Sequence, residues 1–525
     1  MPFGYPLQVH QRVIHAPLSE YTGQGGIFLG KARPIFYNAL LLTAVNLLLR
    51  FASTSFQVFL SGRIGPEGIG LLQLVLSVGS LAMTAGMGGI RTATMYLCAE
   101  VVGKKQHGNM MWVLSGCILY SLFLSCGVGF LLHRFAPLIA EKWIGNISTI
   151  GTIRLLACFL PVSCLCGVMV GYFTGVERIG TLAAVEVVEQ LFTMLSTVLL
   201  LVFWAHNDPG RACCAVIMGS GLGACFTLTV LLILKWLEYT VNGPRIPIRM
   251  KLIEVAVPLA FADDVKAGIS TMENLMVPKR LALYPGEVVP LAAFGMVCGM
   301  VFPILMFPAA ILFGLAELLI PELARCNAAG SQNRIRHLTQ KSLMLALIYG
   351  CFCGGLLFLA ADTLCIKFYH TPEAGAHLRR FSILAPMLYC DAIVDAITKG
   401  LGQQKICVRY NIITSAMDVV LLFILLPKYG MAGYFFSFFV THLINFFLSL
   451  HLLQTLAGKC LAFQTAFLCM IATVLSVVAA RCVSTVLLAS IAFILMFISL
   501  LVLLRIITSE DMRWVKGLLL PQRTD

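Results

Sequence analysis

Charged side chains inside long apolar runs are the residues of this sequence best suited to bind a charged ligand. Arg50 lies in the middle of the run NLLLRFAST, and Lys266 lies at a roughly corresponding place in the second half of the chain. A charge at the centre of a membrane helix costs about 2.5 to 3.5 kcal/mol on insertion scales, so such residues usually face a water-filled cavity or a partner. Two cations at matching depths can bind phosphate or pyrophosphate, Arg as a fork and Lys as a point charge. The alternative is structural pairing with nearby acids.

Arg91 is a third cation of this kind, but it lies nearer the predicted cytoplasmic end of the second span. Its long side chain can extend to the membrane interface, which is the alternative to a role in substrate binding. Asp263 and Asp264 lie close to Lys266 in the sequence, and this spacing favours local neutralisation of the Lys266 charge over a separate role in ion coupling.

Acidic residues inside other predicted spans are candidates for ion coupling. Asp391 and Asp395 are four residues apart and share one face of a helix. Two carboxylates on a buried face oppose each other's ionisation, which is typical of a proton or sodium relay. The alternative is an ion pair with Lys399, four residues further along the same face. Asp418 in the next span is another candidate, as are Glu186 and Glu189 in the fifth span.

Two prolines interrupt a long apolar run in the second half of the chain. Pro303 and Pro308 each remove a backbone hydrogen bond and bend a helix, so they are candidate hinges for a transport cycle. Proline is also common in membrane helices without such a role.

The elements that must position these residues are membrane-spanning helices. The 525-residue chain is 59% hydrophobic and 12% charged, whereas soluble domains are about 45 to 50% apolar and 25% charged. Runs of about 20 apolar residues, long enough to cross the bilayer core, recur about fourteen times. The composition therefore predicts an all-α polytopic membrane protein. The first 38 residues contain no apolar run, so we expect insertion to begin with the first span and not with a cleaved signal peptide.

Positive charge is distributed between loops. The net charge is +13, but Lys and Arg form no basic stripe, which argues against nucleic-acid binding. About 22 of them fall on the side of the two termini and about 12 on the other side. This bias predicts a protein of the inner, cytoplasmic membrane with both termini in the cytoplasm.

Motifs for enzymatic chemistry are missing from the sequence. The 19 cysteines show no CxxC spacing and no accompanying histidine cluster, so we interpret them as packing residues and expect no metal site. Neither a phosphate-binding GxxxxGK[ST] loop nor an HExxH or GxSxG motif occurs. We therefore expect neither an enzyme nor a cofactor, and ATP is not the direct energy source.

An internal repeat organises the chain. Arg154, Pro161 and Gly175 recur as Arg379, Pro386 and Gly400, each pair 225 positions apart. Such spacing predicts two six-helix lobes of the same orientation around a central cavity, with two helices added; chance similarity of apolar segments is the alternative. The predicted segments are an N-terminal cytoplasmic segment (1–35), a first lobe (36–236), a cytoplasmic linker (237–251), a second lobe (252–454), two additional helices (462–506) and a cytoplasmic tail (507–525).

Two segments carry a family resemblance. The run FLSGRIGPEGIGLLQL from Phe59 and the segment from Val277 to Ala324 resemble the stage V sporulation protein B branch of the polysaccharide exporters. That branch belongs to the multidrug/oligosaccharidyl-lipid/polysaccharide flippase superfamily, which also contains the MATE drug exporters and the MurJ-type lipid II flippases. The similarity covers roughly residues 35 to 505. It implies two six-helix lobes plus two helices, and a lipid-linked sugar as substrate.

The resemblance also assigns a role to Arg50. In MurJ-type relatives a first-span Arg helps to hold the pyrophosphate of the lipid-linked substrate, and Arg50 is the matching position. Those relatives carry a second Arg six residues later, where this sequence has Phe56. The implied substrate is a peptidoglycan or polysaccharide precursor of the undecaprenyl pyrophosphate type, used in spore cortex or cell envelope synthesis.

Three hypotheses for function follow. The first is a flippase that moves a lipid-linked saccharide by alternating access. The second is an exporter of cationic drugs, coupled to protons or sodium through Asp391, Asp395 and Asp418. The third is a membrane scaffold for envelope synthesis that transports nothing.

Overall fold

The computed structural model describes residues 28–103, 110–205, 208–237, 249–286, 289–458, 463–483 and 485–506. The predicted cytoplasmic tail (507–525) lies wholly outside these ranges, as does most of the predicted N-terminal segment (1–35) and of the predicted linker (237–251). Within them, the secondary structure consists of helices joined by short connections.

The described residues of the first half of the chain form seven α-helices. They are α1 (Phe28–Met87), α2 (Ile90–Gly103), α3 (Met110–Leu138), α4 (Ile150–Gly175), α5 (Ile179–Leu200), α6 (Pro209–Trp236) and α7 (Arg249–Leu281). π-helical turns extend α3 (Ile139–Ile144) and α5 (Leu201–Ala205).

The second half contains more interruptions. Its helices are α8 (Pro290–Gly295), α9 (Phe302–Met306), α10 (Ala310–Ala328), α11 (Gln332–Tyr369), α12 (Pro372–Ser382), α13 (Ala385–Gly400), α14 (Gln404–Ala457), α15 (Phe463–Ala480) and α16 (Val486–Leu503). A π-helical turn, Met296–Val301, joins α8 to α9. Two pairs bend sharply: Pro290–Met306 meets α10 at 63°, and α12 meets α13 at 57°.

Glycine divides the two longest helices. Gly65 (φ 70°, ψ 175°) interrupts α1, and Gly430 (φ 57°, ψ −138°) interrupts α14. Residues with side chains rarely adopt these backbone angles, so glycine lets the helix change direction there without a long loop. Each long helix therefore consists of two segments, in agreement with the separate spans that the sequence predicts at these places.

The helix count fits the prediction from sequence. Eight helices in the described ranges are long and apolar enough to cross a membrane, and ten if each bent pair is one span. The described residues form 14 helical segments when Gly65 and Gly430 are treated as ends, α2 is counted with the second part of α1, and each bent pair is counted once. The all-helical polytopic fold is thus confirmed. α7 is not among the helices that pass this test, because it carries Asp263, Asp264 and Lys266.

The chain packs as two compact units. Unit 1 comprises Met1–Gly299 with Val419–Met431, and unit 2 comprises Met300–Asp418 with Ala432–Asp525. The division into six-helix lobes at 36–236 and 252–454 stays a prediction from the sequence repeat.

Small residues bring α4 against α2 in unit 1. A Cβ added at Gly171 would overlap the carbonyl oxygen of Arg91, and one at Gly175 would lie 2.7 Å from that of Met95. Glycines four residues apart allow two helix backbones to approach closely inside a membrane. This contact fixes the backbone of Arg91.

Polar contacts bind α7 to α1 within the same unit. Thr271 Oγ1 donates to the carbonyl oxygen of Ser77 at 3.0 Å, and Asn274 Nδ2 donates to Ser77 Oγ at 3.0 Å. Because Ser77 is buried, both bonds hold the part of α7 that follows Lys266 against α1.

Tyrosines and glycines position α13 in unit 2. Tyr389 Oη donates to the carbonyl oxygen of Leu305 at 2.7 Å. A Cβ added at Gly350 on α11 would lie 2.6 Å from Pro386 Cα. α13, which carries Asp391 and Asp395, is therefore held tightly on two sides.

Candidate functional site

Arg50 lies on the first segment of α1, and its side chain is exposed. One turn further on, Ser53 Oγ accepts a hydrogen bond from Gln190 Nε2 on α5 at 3.3 Å. This bond ties α1 to α5 beside Arg50, so the guanidinium is carried by a helix that is anchored in unit 1.

Arg91 has an acidic neighbour. Its side chain is half-buried, and its charge interacts favourably with that of Glu186 on α5. Glu189 lies one turn beyond Glu186, with Thr227 of α6 beside it. Arg91 thus belongs to a polar cluster of α2, α5 and α6. An anion that binds Arg91 would compete with the Glu186 carboxylate for its positive charge.

Lys266 and its acidic neighbours lie on α7. The side chain of Lys266 is exposed, and its charge interacts with that of Asp263, one turn earlier. Asp264 faces Tyr120 of α3, and its Oδ1 atom is buried with no hydrogen-bond partner among the described residues. The two acids therefore have different surroundings, and Asp263 is the one that neutralises Lys266.

All three predicted cations belong to unit 1, whereas Asp391, Asp395 and Asp418 belong to unit 2. The structure therefore separates the candidate anion-binding residues from most of the candidate ion-coupling residues.

Asp391 and Asp395 have different partners, although they share a helix face. Lys399 Nζ lies 2.5 Å from Asp395 Oδ2 in an ion pair along α13. Asp391 Oδ2 instead accepts a hydrogen bond from Asn445 Nδ2 of α14 at 3.3 Å. Asn445 Oδ1 is buried and has no partner among the described residues. Asp391 and Asn445 together thus present oxygen atoms that can take a proton or a small cation.

Asp418 is buried between the two segments of α14. Its Oδ1 atom accepts hydrogen bonds from Ser437 Oγ at 2.5 Å and from Thr441 Oγ1 at 3.3 Å. These bonds join the segments on either side of Gly430. Asp418 thus has a structural role whether or not it also takes part in ion coupling.

A stripe of buried polar residues that was not predicted from the sequence connects these acids. Ser437, Thr441, Asn445 and Ser449 lie four residues apart on α14, and all are buried. We name them the polar stripe. Asp418 contacts its first two members and Asp391 contacts the third. Small polar residues at four-residue spacing in an apolar helix are the signal that could have revealed it.

Replacement of Asp418 by Leu is expected to destabilise the protein by about 1.5 to 3 kcal/mol. The hydrogen bond from Ser437 Oγ to a charged group contributes about this much and is lost. The Thr441 hydroxyl keeps the carbonyl oxygen of Ser437 as its acceptor at 2.9 Å. The unfolding temperature in detergent measures the effect. Asp418→Asn, which keeps an acceptor oxygen, should lose much less, and equal unfolding temperatures for Asp418→Leu and the wild type would contradict the assigned role.

The two predicted hinge prolines lie at and near a bend. Pro308 falls in the break between α9 and α10, where its carbonyl oxygen accepts a hydrogen bond from Tyr349 Oη at 2.9 Å. Pro303 is the second residue of α9. The 63° bend at the break is observed, and its movement during transport stays a prediction.

Comparison with other sequences gives a distant relative. No protein-family model matches the chain. The sequence is 22% identical over 410 residues to stage V sporulation protein B of Bacillus subtilis (strain 168), an alignment that covers 75% of this chain and 78% of the relative.

Solved structures share the fold. An inward-facing multidrug resistance MATE family transporter of the MOP superfamily matches with a TM-score of 0.63 and 13% identity, over 81% of this chain and 100% of that chain. The lipid II flippase MurJ, in an inward closed conformation, matches with a TM-score of 0.63 and 12% identity, over 89% of this chain and 99% of that chain. The protein is therefore a distant homologue of stage V sporulation protein B, and it is a multi-pass membrane protein with the fold of the MOP-superfamily transporters.

Proposed function

We propose that this protein is a flippase that moves a lipid-linked saccharide across the cytoplasmic membrane by alternating access. The observation that carries the proposal is the placement of Arg50, Arg91 and Lys266 within the helices of unit 1. Similarity to a lipid II flippase and to a sporulation protein supports it. The proposed substrate is a peptidoglycan or polysaccharide precursor on an undecaprenyl pyrophosphate carrier, for spore cortex or envelope synthesis.

The balance of charge among these residues favours an anionic substrate. Lys266 is neutralised in part by Asp263, and Arg91 in part by Glu186. Arg50 is exposed in the middle of an apolar segment, and its guanidinium can bind two oxygen atoms of a pyrophosphate in parallel. A bound anion would offset the cost of holding these cations within the membrane.

Asp391 is the proposed site of ion coupling. Its carboxylate can share a proton or a sodium ion with the carbonyl oxygen of Asn445, which has no partner among the described residues. Asp395 is less suited to this role because it is paired with Lys399. Binding or release of the ion at this position would bias the conformations of the transport cycle. The proposed orientation places both termini in the cytoplasm.

Export of cationic drugs is the second candidate function. The fold shared with a multidrug MATE transporter favours it, and so do the carboxylates of Asp391 and Asp418 in unit 2. A scaffold without transport activity is the third candidate.

Transport by the purified protein in liposomes separates these functions. The liposomes contain undecaprenyl pyrophosphate linked to a fluorescent disaccharide, and a membrane-impermeant quencher reports the label on the outer leaflet. A parallel set is loaded with a fluorescent organic cation. We expect the protein to translocate the lipid-linked sugar and not the cation. Efflux of the cation without translocation of the sugar would support the exporter, and activity equal to that of protein-free liposomes with both probes would support the scaffold.

A further inference from the structure

Within unit 1, α1 and α8 cross at a contact without room for side chains. A Cβ added at Gly295 would overlap the carbonyl oxygen of Pro66 and lie 2.6 Å from the backbone nitrogen of Gly70. A Cβ added at Gly70 would in turn overlap the carbonyl oxygen of Leu291. The backbones of the two helices therefore touch directly.

The contact continues into the π-helical turn Met296–Val301. A Cβ added at Gly299 would overlap the side chain of Ile69. Ser61 Oγ also donates a hydrogen bond to the carbonyl oxygen of Gly299 at 3.4 Å. Ser61 and Ile69 are 2% and 1% exposed, so water is excluded from this crossing. Gly295 and Gly299 form a GxxxG pattern, which is typical of close helix contacts in membranes.

The π-helical turn sets which residues of this segment face α1. An α-helix rotates by about 100° per residue, and the wider π-helical turn rotates by less, because it holds one extra residue. Conversion of Met296–Val301 to α-helix would therefore rotate Gly299 by several tens of degrees relative to Gly295. A neighbouring side chain would then face Ile69, where the structure has space only for a hydrogen atom.

Two further features make this crossing suited to opening. The boundary between units 1 and 2 falls inside the π-helical turn, between Gly299 and Met300. On the other side of the contact, Gly65 breaks α1, and a Cβ added there would meet no atom within 4 Å. The backbone can thus change direction at Gly65 without meeting a packed neighbour among the described residues.

We propose that Gly70, Gly295 and Gly299 form a latch that holds α1 and α8 together and opens when the π-helical turn converts to α-helix. The proposal rests on the proposed transport function, since alternating access requires contacts that form in one state and part in another.

Labelling of a buried cysteine tests the latch without transport. Ser61→Cys places a thiol in the crossing, in a protein in which Ser replaces Cys460 and the exposed cysteines of the described residues, at positions 126, 158 and 482. The rate of reaction with a maleimide then reports how often the contact opens. We expect Gly299→Ala to raise this rate about tenfold or more, because the added methyl group overlaps Ile69. Gly116→Ala, on α3 with no atom within 4 Å of the added Cβ, is the matched control.

Two further variants separate opening from misfolding. Ile69→Ala combined with Gly299→Ala makes room for the methyl group and should restore slow labelling. Deletion of Cys298 removes the extra residue of the π-helical turn and should accelerate labelling as Gly299→Ala does. Equal rates for Gly299→Ala and Gly116→Ala would overturn the latch, and slow labelling of a folded Cys298 deletion would overturn the role of the π-helical turn. These results do not depend on the substrate, so they stand apart from the test of transport.

Discussion

Replacement of Arg50 by Glu is expected to lower translocation of the lipid-linked saccharide by about 100-fold or more. The change removes a guanidinium that can bind a pyrophosphate through two hydrogen bonds. It also places a negative charge near the negatively charged substrate. A loss of about 3 kcal/mol in transition-state stabilisation corresponds to a factor of this size. The liposome assay with the fluorescent disaccharide measures it.

Two companion variants refine the result for Arg50. Arg50→Lys keeps the charge but loses the fork, so an intermediate rate is expected. Arg134→Glu, an exposed position near the end of α3, makes the same charge change away from the proposed site and should leave transport unchanged. Wild-type rates for Arg50→Glu, or equal losses for both Glu variants, would refute specific anion binding at Arg50.

The second large effect is expected for Asp391→Asn. This change keeps the size of the side chain and its contact with Asn445 but removes the negative charge that a proton or sodium ion would neutralise. Transport driven by an ion gradient should then fall about tenfold or more, to the rate without a gradient. Proton and sodium gradients, imposed separately on liposomes, identify the ion.

Asp395→Asn is the matched control for Asp391, since both acids lie on one face of α13. Asp395 is already neutralised by Lys399. The side chain of Asp395 is 35% exposed and that of Lys399 is 26% exposed. Loss of such a partly exposed pair has a small effect, about 1 kcal/mol or less. A stronger loss of coupling in Asp395→Asn than in Asp391→Asn would reverse the proposed assignment.

Much of the fold could be predicted from the sequence, because each prediction depended on local pattern. The length of the apolar runs indicates membrane helices wherever they occur. Glycine at positions 65 and 430 marks breaks that helices with side chains would resist. These signals need no knowledge of which helices become neighbours.

The partners of the candidate residues could not be predicted in the same way. Asp391 and Asp395 have equivalent positions in the sequence pattern, yet one contacts Asn445, 54 residues away, and the other contacts Lys399 on its own helix. The hydrogen bond from Gln190 to Ser53 joins residues 137 positions apart. Such pairs depend on how helices pack, which hydrophobic periodicity alone does not specify.

The π-helical turn at Met296–Val301 shows a second kind of limit. Its sequence, MVCGMV, is as apolar as the α-helices on either side. A π-helical turn depends on one extra residue within a helix, and no residue type marks it reliably. The GxxxG pattern predicts a close helix contact, but the wider turn at that contact is visible only in the structure.

The polar bonds between α7 and Ser77 have a consequence for how this protein is made. α7 carries three charges within about one turn, so its transfer into lipid as an isolated helix is unfavourable by several kcal/mol. Thr271 and Asn274 find their acceptors on α1, which emerges from the ribosome much earlier. We therefore expect the insertion of this chain to be sequential, with α7 entering the membrane against α1 because α7 is too polar to insert alone.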